Sequence, residues 1–385
     1  MKLSIVSLIC VSSFFTGKQL PEFKYIAVPN KYMQNLNKTS TERKEFLDSL
    51  KNPYNLEKSL PSNFVKDGSV DYTNYLQTGI NNNKDIIFPD FPVLINEKGL
   101  KLRSNTKLYF PENSRILLKP NDLPGYEMLS IKDAENISLY YPIIIGDRDK
   151  HLTDKGNWGF GISIKSSNNI TIENPKVSLC YGDGIYIGGI KKPSTNVTIN
   201  NALVDNNRRD GLSITSGENI KINSCIFSNS NGKAPAAGIQ IEPNGSTNQI
   251  DKINIVNTIT FNNQQTGLMV NLVKLNGDDL KNVNIQITNH IDDNSNYGMG
   301  VWISRPTKKK ITKNLVGNVN ITGSKWINNR TEAFHYFEKD NNNSVYVLFK
   351  NIKIYNKNNS VNPDSAQLKT IKNKFSGNNR YKFSN

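Results

Sequence analysis

Cysteine is nearly absent from this 385-residue chain: Cys10, Cys180 and Cys225 are all it has. Three thiols at these spacings supply neither a disulfide framework nor the paired ligands of a zinc site. Beyond the N-terminus no apolar run reaches the roughly 18 residues of a membrane span. Acidic side chains are the minority, with 33 Asp and Glu against 48 Lys and Arg, which leaves a net charge of +15. Such an excess attracts polyanions. The lysines are nevertheless spread along the chain rather than gathered on an arm, and no nucleic-acid-binding module accompanies them, so nucleic acid is not the expected partner. Apolar residues make up 36% and charged residues 21%, which suits a soluble protein with a narrow core.

What is present is a repeat. A glycine followed by an alternating apolar phrase recurs as Phe160-Gly161-Ile162-Ser163-Ile164, Asp183-Gly184-Ile185-Tyr186-Ile187, Asp210-Gly211-Leu212-Ser213-Ile214 and Ala237-Gly238-Ile239-Gln240-Ile241. It returns at Thr266-Gly267-Leu268-Met269-Val270 and Met299-Gly300-Val301-Trp302-Ile303. A second phrase follows each by about eight residues, as in Asn169-Ile170-Thr171-Ile172, Asn196-Val197-Thr198-Ile199 and Asn219-Ile220-Lys221-Ile222, and a weaker third is visible at Ala202-Leu203-Val204 and Cys225-Ile226-Phe227. Alternation over so few residues predicts short strands with one buried face, and three per repeat predict stacked coils of a parallel β-solenoid. Helical spacing of apolar residues is missing from these runs. Asparagines at one point of successive coils can bond their amides up and down the stack. Cys180 and Cys225 fall at different points of the repeat and are expected to be small buried hydrophobes.

In chain order, residues 1–17 have the charged start and short hydrophobic middle of a secretory signal that would carry Cys10 away, which predicts a secreted or periplasmic protein. Residues 18–70 lack the repeat and form an N-terminal extension and cap: Thr39-x-x-Glu42 is a capping box for a helix through Phe46 and Leu50, and Asp71 caps another carrying Tyr75, Leu76 and Ile80. That helix is expected to close the apolar end of the first coil. Strands then begin at Ile86-Ile87-Phe88-Pro89, and the solenoid spans 71–360 as one domain, with 361–385 as a C-terminal cover.

Stacking turns phrase positions into ladders, with neighbours about 5 Å apart. The position before glycine places Asp183 beside Asp210, and two like charges so close raise one pKa, which costs stability unless they serve acid and base roles or hold a cation. Either aspartate alone reads better as a turn residue; the pair is what points to chemistry. The position two residues after glycine gives an outward stripe through Tyr186 and Gln240 to Trp302. Glu242 is a third carboxylate, and Arg208 and Arg209 beside the aspartates suggest a substrate bearing acid groups. A polar insertion at 146–159, holding Arg148, His151 and Trp158, is the expected wall of a cleft. Catalytic candidates are therefore Asp183, Asp210 and Glu242; substrate-binding candidates are Arg148, His151, Trp158, Tyr181, Tyr186, Arg208, Arg209, Gln240 and Trp302. No cofactor is required, although Ca²⁺ would find hard oxygen ligands in the three carboxylates.

From the helix before Asp85 and the strand ending at Pro89 onward, the chain resembles the pectate-lyase-like superfamily of polysaccharide-active proteins. The resemblance covers roughly 70–360 and implies an all-β fold, a single-stranded right-handed parallel β-helix with a short N-terminal helical cap. Tyr181-Gly182-Asp183-Gly184 and Arg209-Asp210-Gly211 resemble the first two rungs of the polygalacturonase active site, whereas Ala237-Gly238 stands where that family carries a histidine. Asp183-Gly184 also begins a match to the mannuronan epimerases, which ends at Ile187-Gly188. As a whole the set is similar to bacterial and phage β-helix proteins that act on polysaccharides. The resemblance and the residues together predict an enzyme that hydrolyses an acidic, uronate-containing polysaccharide. A lyase or C5-epimerase using Arg208 or Arg209 with Tyr181, Tyr186 or His151, and a non-catalytic polysaccharide-binding solenoid, stay open beside it. A monomer is expected, or a trimer if the source is a phage.

Overall fold

Three parallel sheets run the length of the molecule, one for each recurring phrase. The structure, a computed structural model, describes residues 20–36, 40–189, 191–303, 315–336, 344–356 and 363–384; the expected signal segment and Cys10 lie outside them. The glycine phrases form a nine-stranded sheet that includes Trp158–Lys165, Ile185–Gly188, Leu212–Ile214, Ile239–Ile241, Thr266–Asn271 and Tyr297–Trp302. The asparagine phrases form a twelve-stranded sheet and the third phrases a ten-stranded one. Each strand pairs in parallel with its counterpart one coil away, so that Ile162, Ile185, Leu212, Ile239 and Leu268 stack in one column. This is an all-β right-handed parallel β-helix.

Burial explains the alternation. The aliphatic members of all three phrases, among them Ile164, Ile187, Ile170, Ile199 and Val204, point inward and are fully buried, each contributing about 1.5–3 kcal/mol. Cys180 and Cys225 are buried free thiols, at different points of the repeat. The corners explain the asparagines more fully than amide stacking does. At fixed points of each coil one residue takes a left-handed backbone, and it is usually Asn: Asn169, Asn196 and Asn219 near the start of strands of the twelve-stranded sheet, Asn206, Asn229, Asn262 and Asn294 at the bend after strands of the ten-stranded one, all with φ between 51° and 66°. Asn tolerates that conformation better than other non-glycine residues. The amides also stack as expected, Asn262 Nδ2 donating to Asn229 Oδ1 at 2.7 Å and Asn294 Nδ2 to Asn262 Oδ1 at 2.9 Å.

The ends are closed. Helix Thr73–Asn82 buries Leu76 and Ile80 in the first coils, and Asp71 accepts the Thr73 N–H at 2.9 Å. Helix Ser40–Asp48 lays Phe46 on Tyr140 and Tyr109. At the far end helix Ser365–Phe375 buries Ile371 and Phe375, and strand Tyr381–Ser384 joins the twelve-stranded sheet. Residues 20–36 do something else: they run as a strap over the outer face of the ten-stranded sheet. Tyr32 packs with Ile226, Ile259 and Phe261 and donates its hydroxyl to Asp293 at 2.8 Å. Asn229 fastens the strap from both sides, accepting the Ile26 N–H and donating to the Ile26 carbonyl. Among the described residues no helix is long and apolar enough to cross a membrane.

The repeated glycine marks close approach of coil to coil. A Cβ on Gly161 would lie 2.5 Å from Val177 Cγ1 and 2.7 Å from the Gly184 carbonyl oxygen. Gly161→Ala is therefore expected to destabilise the protein by about 1–3 kcal/mol through overpacking, read as a lowered denaturant midpoint; an unchanged midpoint would show that the coils can part at no cost.

Candidate functional site

Asp183 and Asp210 do stack on adjacent coils, and the stacking is sealed. Both are fully buried. The Asp183 carboxylate accepts the Asp210 N–H at 3.2 Å, and Asp210 accepts the Ala237 N–H at 2.9 Å. Between them lies Arg209, its Nη1 at 3.0 and 2.9 Å from the two Asp183 oxygens and 3.5 Å from Asp210 Oδ2. The place a Ca²⁺ would take between the aspartates is thus filled by a guanidinium, and no group of three or more His, Cys, Asp or Glu is arranged to hold a metal among the described residues.

Burial pushes both aspartate pKa values up against the pull of Arg209, and the neighbouring Asp183 charge helps bring Asp210 to about 7. Burial works against the Arg209 charge, but Asp183, Asp210 and Glu242 outweigh it and hold its pKa above the usual value.

On the solvent side of Arg209 a groove of about 330 Å³ crosses the nine-stranded sheet. Trp158, Phe160 and Lys165 form one end, Glu242, Asn244 and Lys274 the other, and Tyr186, Arg209, Ser213, Thr215 and Gln240 the floor. Trp158 is 43% exposed, an indole offered to solvent. Phe160 and Tyr186 stack with centroids 4.6 Å apart, and Lys165 Nζ sits 5.3 and 5.2 Å from their ring centres. The Tyr186 hydroxyl is hydrogen-bonded with Thr215 Oγ1 at 2.8 Å, and burial raises its pKa. Glu242 accepts from Gln240 Nε2 and Asn271 Nδ2, both at 3.1 Å, with Lys274 Nζ 3.6 Å away. Apolar ring faces among fixed hydrogen-bonding groups suit a sugar chain, while Lys165, Arg209 and Lys274 suit acid groups on it.

The expected site residues divide. Trp158, Tyr186, Arg209, Gln240 and Glu242 meet in the groove. Arg148, His151, Tyr181 and Arg208 line a separate shallow depression, where they hold the 146–159 insertion down. Arg208 donates to the carbonyls of Gly156, Asp154 and Tyr181 and lies 4.0 Å over the Tyr181 ring. Tyr181 stacks on His151 at 3.6 Å, and His151 Nδ1 meets Asp147 Oδ2 at 2.7 Å. Arg148 is spent on Asn206 and Asn231. The insertion does form a wall of the groove, through Trp158 alone.

Trp302 is the correction. The phrase Met299-Gly300-Val301-Trp302 reads two residues out of register, because Gly298 and not Gly300 lies opposite Gly267. Met269 pairs with Gly300, and Trp302 pairs with Asn271, where it is 4% exposed. It offers no stacking face to a ligand. Missed in turn were Lys165, Lys274 and Phe160, together with Glu127, which receives the Lys165 ammonium and lies opposite Phe160. The strand register carried a signal for Lys165, since Lys165 falls one row beyond the hydroxyl stripe; Lys274 lies past its strand and had none.

A family model described as a right-handed beta helix region matches residues 160–346. The SPbeta prophage-derived uncharacterized protein YorA of Bacillus subtilis is 32% identical over 165 residues, 38% of this chain and 28% of that one. The uncharacterized protein YclG of the same species is 29% identical over 220 residues, 52% of this chain and 37% of that one. The chain thus spans about a third of the length of the curated relatives it matches. Among solved structures, the tailspike protein of E. coli bacteriophage HK620 in complex with a pentasaccharide aligns with a TM-score of 0.59 at 15% identity, covering 86% of this chain and 64% of that one. An iota-carrageenase complexed to iota-carrageenan fragments gives 0.50 at 12%, covering 69% and 61%. Identities this low speak for the fold.

The pH dependence of stability follows from the buried pair. A carboxyl whose pKa is higher folded than unfolded binds more protons in the folded state, so its contribution is most favourable at low pH and is lost as pH rises from about 4 to about 7. Asp292, also buried and pushed up to about 7, acts in the same direction. Asp210→Asn keeps an acceptor for the Ala237 N–H and removes one of these titrations. Its stability is expected to fall less than the wild type's between pH 5 and 8 in denaturant melts; parallel curves would show that Asp210 is ionised throughout.

Proposed function

We propose that the chain binds an acidic polysaccharide in this groove and cleaves it there by β-elimination. The observation that carries the proposal is the make-up of the groove wall: Lys165, Arg209 and Lys274 surround a single lining carboxylate, Glu242, while the two aspartates that hydrolysis would use are sealed behind Arg209. In this reading Arg209 and a lysine neutralise a uronate carboxylate and so acidify the adjacent C5–H. Glu242 takes that proton, the electron pair forms the C4–C5 double bond as the C4–O bond breaks, and the leaving oxygen takes the Tyr186 proton, which burial keeps in place at neutral pH. The glycan complexes of the tailspike and carrageenase neighbours support a sugar ligand, and the N-terminal segment supports secretion.

Hydrolysis is the second reading, and the raised pKa of Asp210 favours it, because a carboxyl protonated near neutrality is a ready acid. It requires Arg209 to move aside.

Purified protein incubated with uronate-containing and neutral polysaccharides is expected to release reducing ends together with near-ultraviolet absorbance. Glu242→Gln is expected to slow both by about 100-fold or more, and Trp158→Ala to weaken substrate binding with a smaller effect on the maximal rate. Reducing ends without absorbance would replace elimination by hydrolysis. Binding without turnover on every acidic substrate would make the protein a glycan-binding solenoid.

A further inference from the structure

The three groove cations occupy alternate coils. Lys165 ends the strand Trp158–Lys165, Arg209 precedes Leu212–Ile214 two strands further along the same sheet, and Lys274 follows Thr266–Asn271 two strands beyond that. At a strand spacing of about 4.8 Å they recur at about 10 Å along the solenoid axis. Their side chains are 21%, 17% and 25% exposed, so each reaches the groove while most of its length is held. Each is also set in place by a carboxylate: Lys165 by Glu127, Arg209 by Asp183, Lys274 by Glu242. The intervening coils contribute Tyr186 and Gln240, which are uncharged and hydrogen-bonding, together with Glu242, the carboxylate that pairs with Lys274. The cations thus recur on every second coil.

A pyranose in an extended chain advances about 5 Å, close to one strand spacing. A glycan lying along the groove would therefore present one sugar per coil. We infer that the groove takes a glycan whose acidic groups recur at every second sugar, as in an alternating acidic–neutral chain. The inference rests on the assignment of the groove to an acidic glycan and adds the charge spacing to it.

The test measures affinity by calorimetry for four hexasaccharides: neutral, with one acid, with acids on alternate sugars, and with an acid on every sugar. Each charge placed in register is expected to add up to about fivefold, the upper end for a partly exposed ion pair. The alternating hexasaccharide should then bind about 25-fold tighter than the single-acid one. The fully acidic hexasaccharide should bind within about threefold of the alternating one. The double variant Lys165→Met with Glu127→Gln removes a cation without leaving a carboxylate unpaired. It is expected to weaken the alternating ligand about fivefold and to weaken the neutral ligand by less than that. Affinity that climbs with total charge regardless of spacing would overturn the inference and leave the groove as an acidic-glycan site. Acidic ligands that bind no better than the neutral one would overturn both.

Discussion

In-register parallel stacking is the constraint on which everything else in this molecule depends. Once successive coils pair strand on strand, every position of the repeat becomes a column running the length of the molecule, and a residue is chosen for what lies above and below it. Inward columns must be aliphatic, corner columns must accept a left-handed backbone, and outward columns on the nine-stranded sheet are left for function. The same rule creates the tension at the centre of the site: two aspartates in one column are forced within a strand spacing of each other and out of water. Arg209, the chain neighbour of Asp210, relieves it.

That relief divides structural charge from functional charge. Arg209 is locked by Asp183 on its inner side and faces the groove on its outer side, so the buried triad presents one fixed cation to solvent. Arg148 and Arg208, by contrast, spend their donors on backbone and side-chain oxygens around the insertion. They keep that loop where Trp158 can wall the groove. Oriented cations of this kind attract an anionic chain without having to reorganise when it arrives.

The fold was legible in the sequence because a solenoid writes its geometry locally: Gly-Ile-Tyr-Ile and Asn-Val-Thr-Ile each specify a strand and a bend within a few residues. The pairing of Asp183 with Asp210 was legible for the same reason, as were the free, buried states of Cys180 and Cys225. What was not legible depended on register or distance. A second glycine in Gly298-Met299-Gly300 imitated the phrase and displaced Trp302 by two positions, which turned a buried indole into an apparent platform. The strap was hidden because Tyr32 meets Asp293 across 261 residues with no local signal. Lys165 and Lys274 were hidden because their long side chains enter the groove from beyond the repeated positions.

The most direct test of the account is a crystal structure with a bound acidic oligosaccharide. The account predicts sugar rings along the nine-stranded sheet between Trp158 and Lys274, with an acid group against Arg209. A glycan seated instead in the depression formed by His151, Tyr181 and Arg208, with the groove empty, would contradict it.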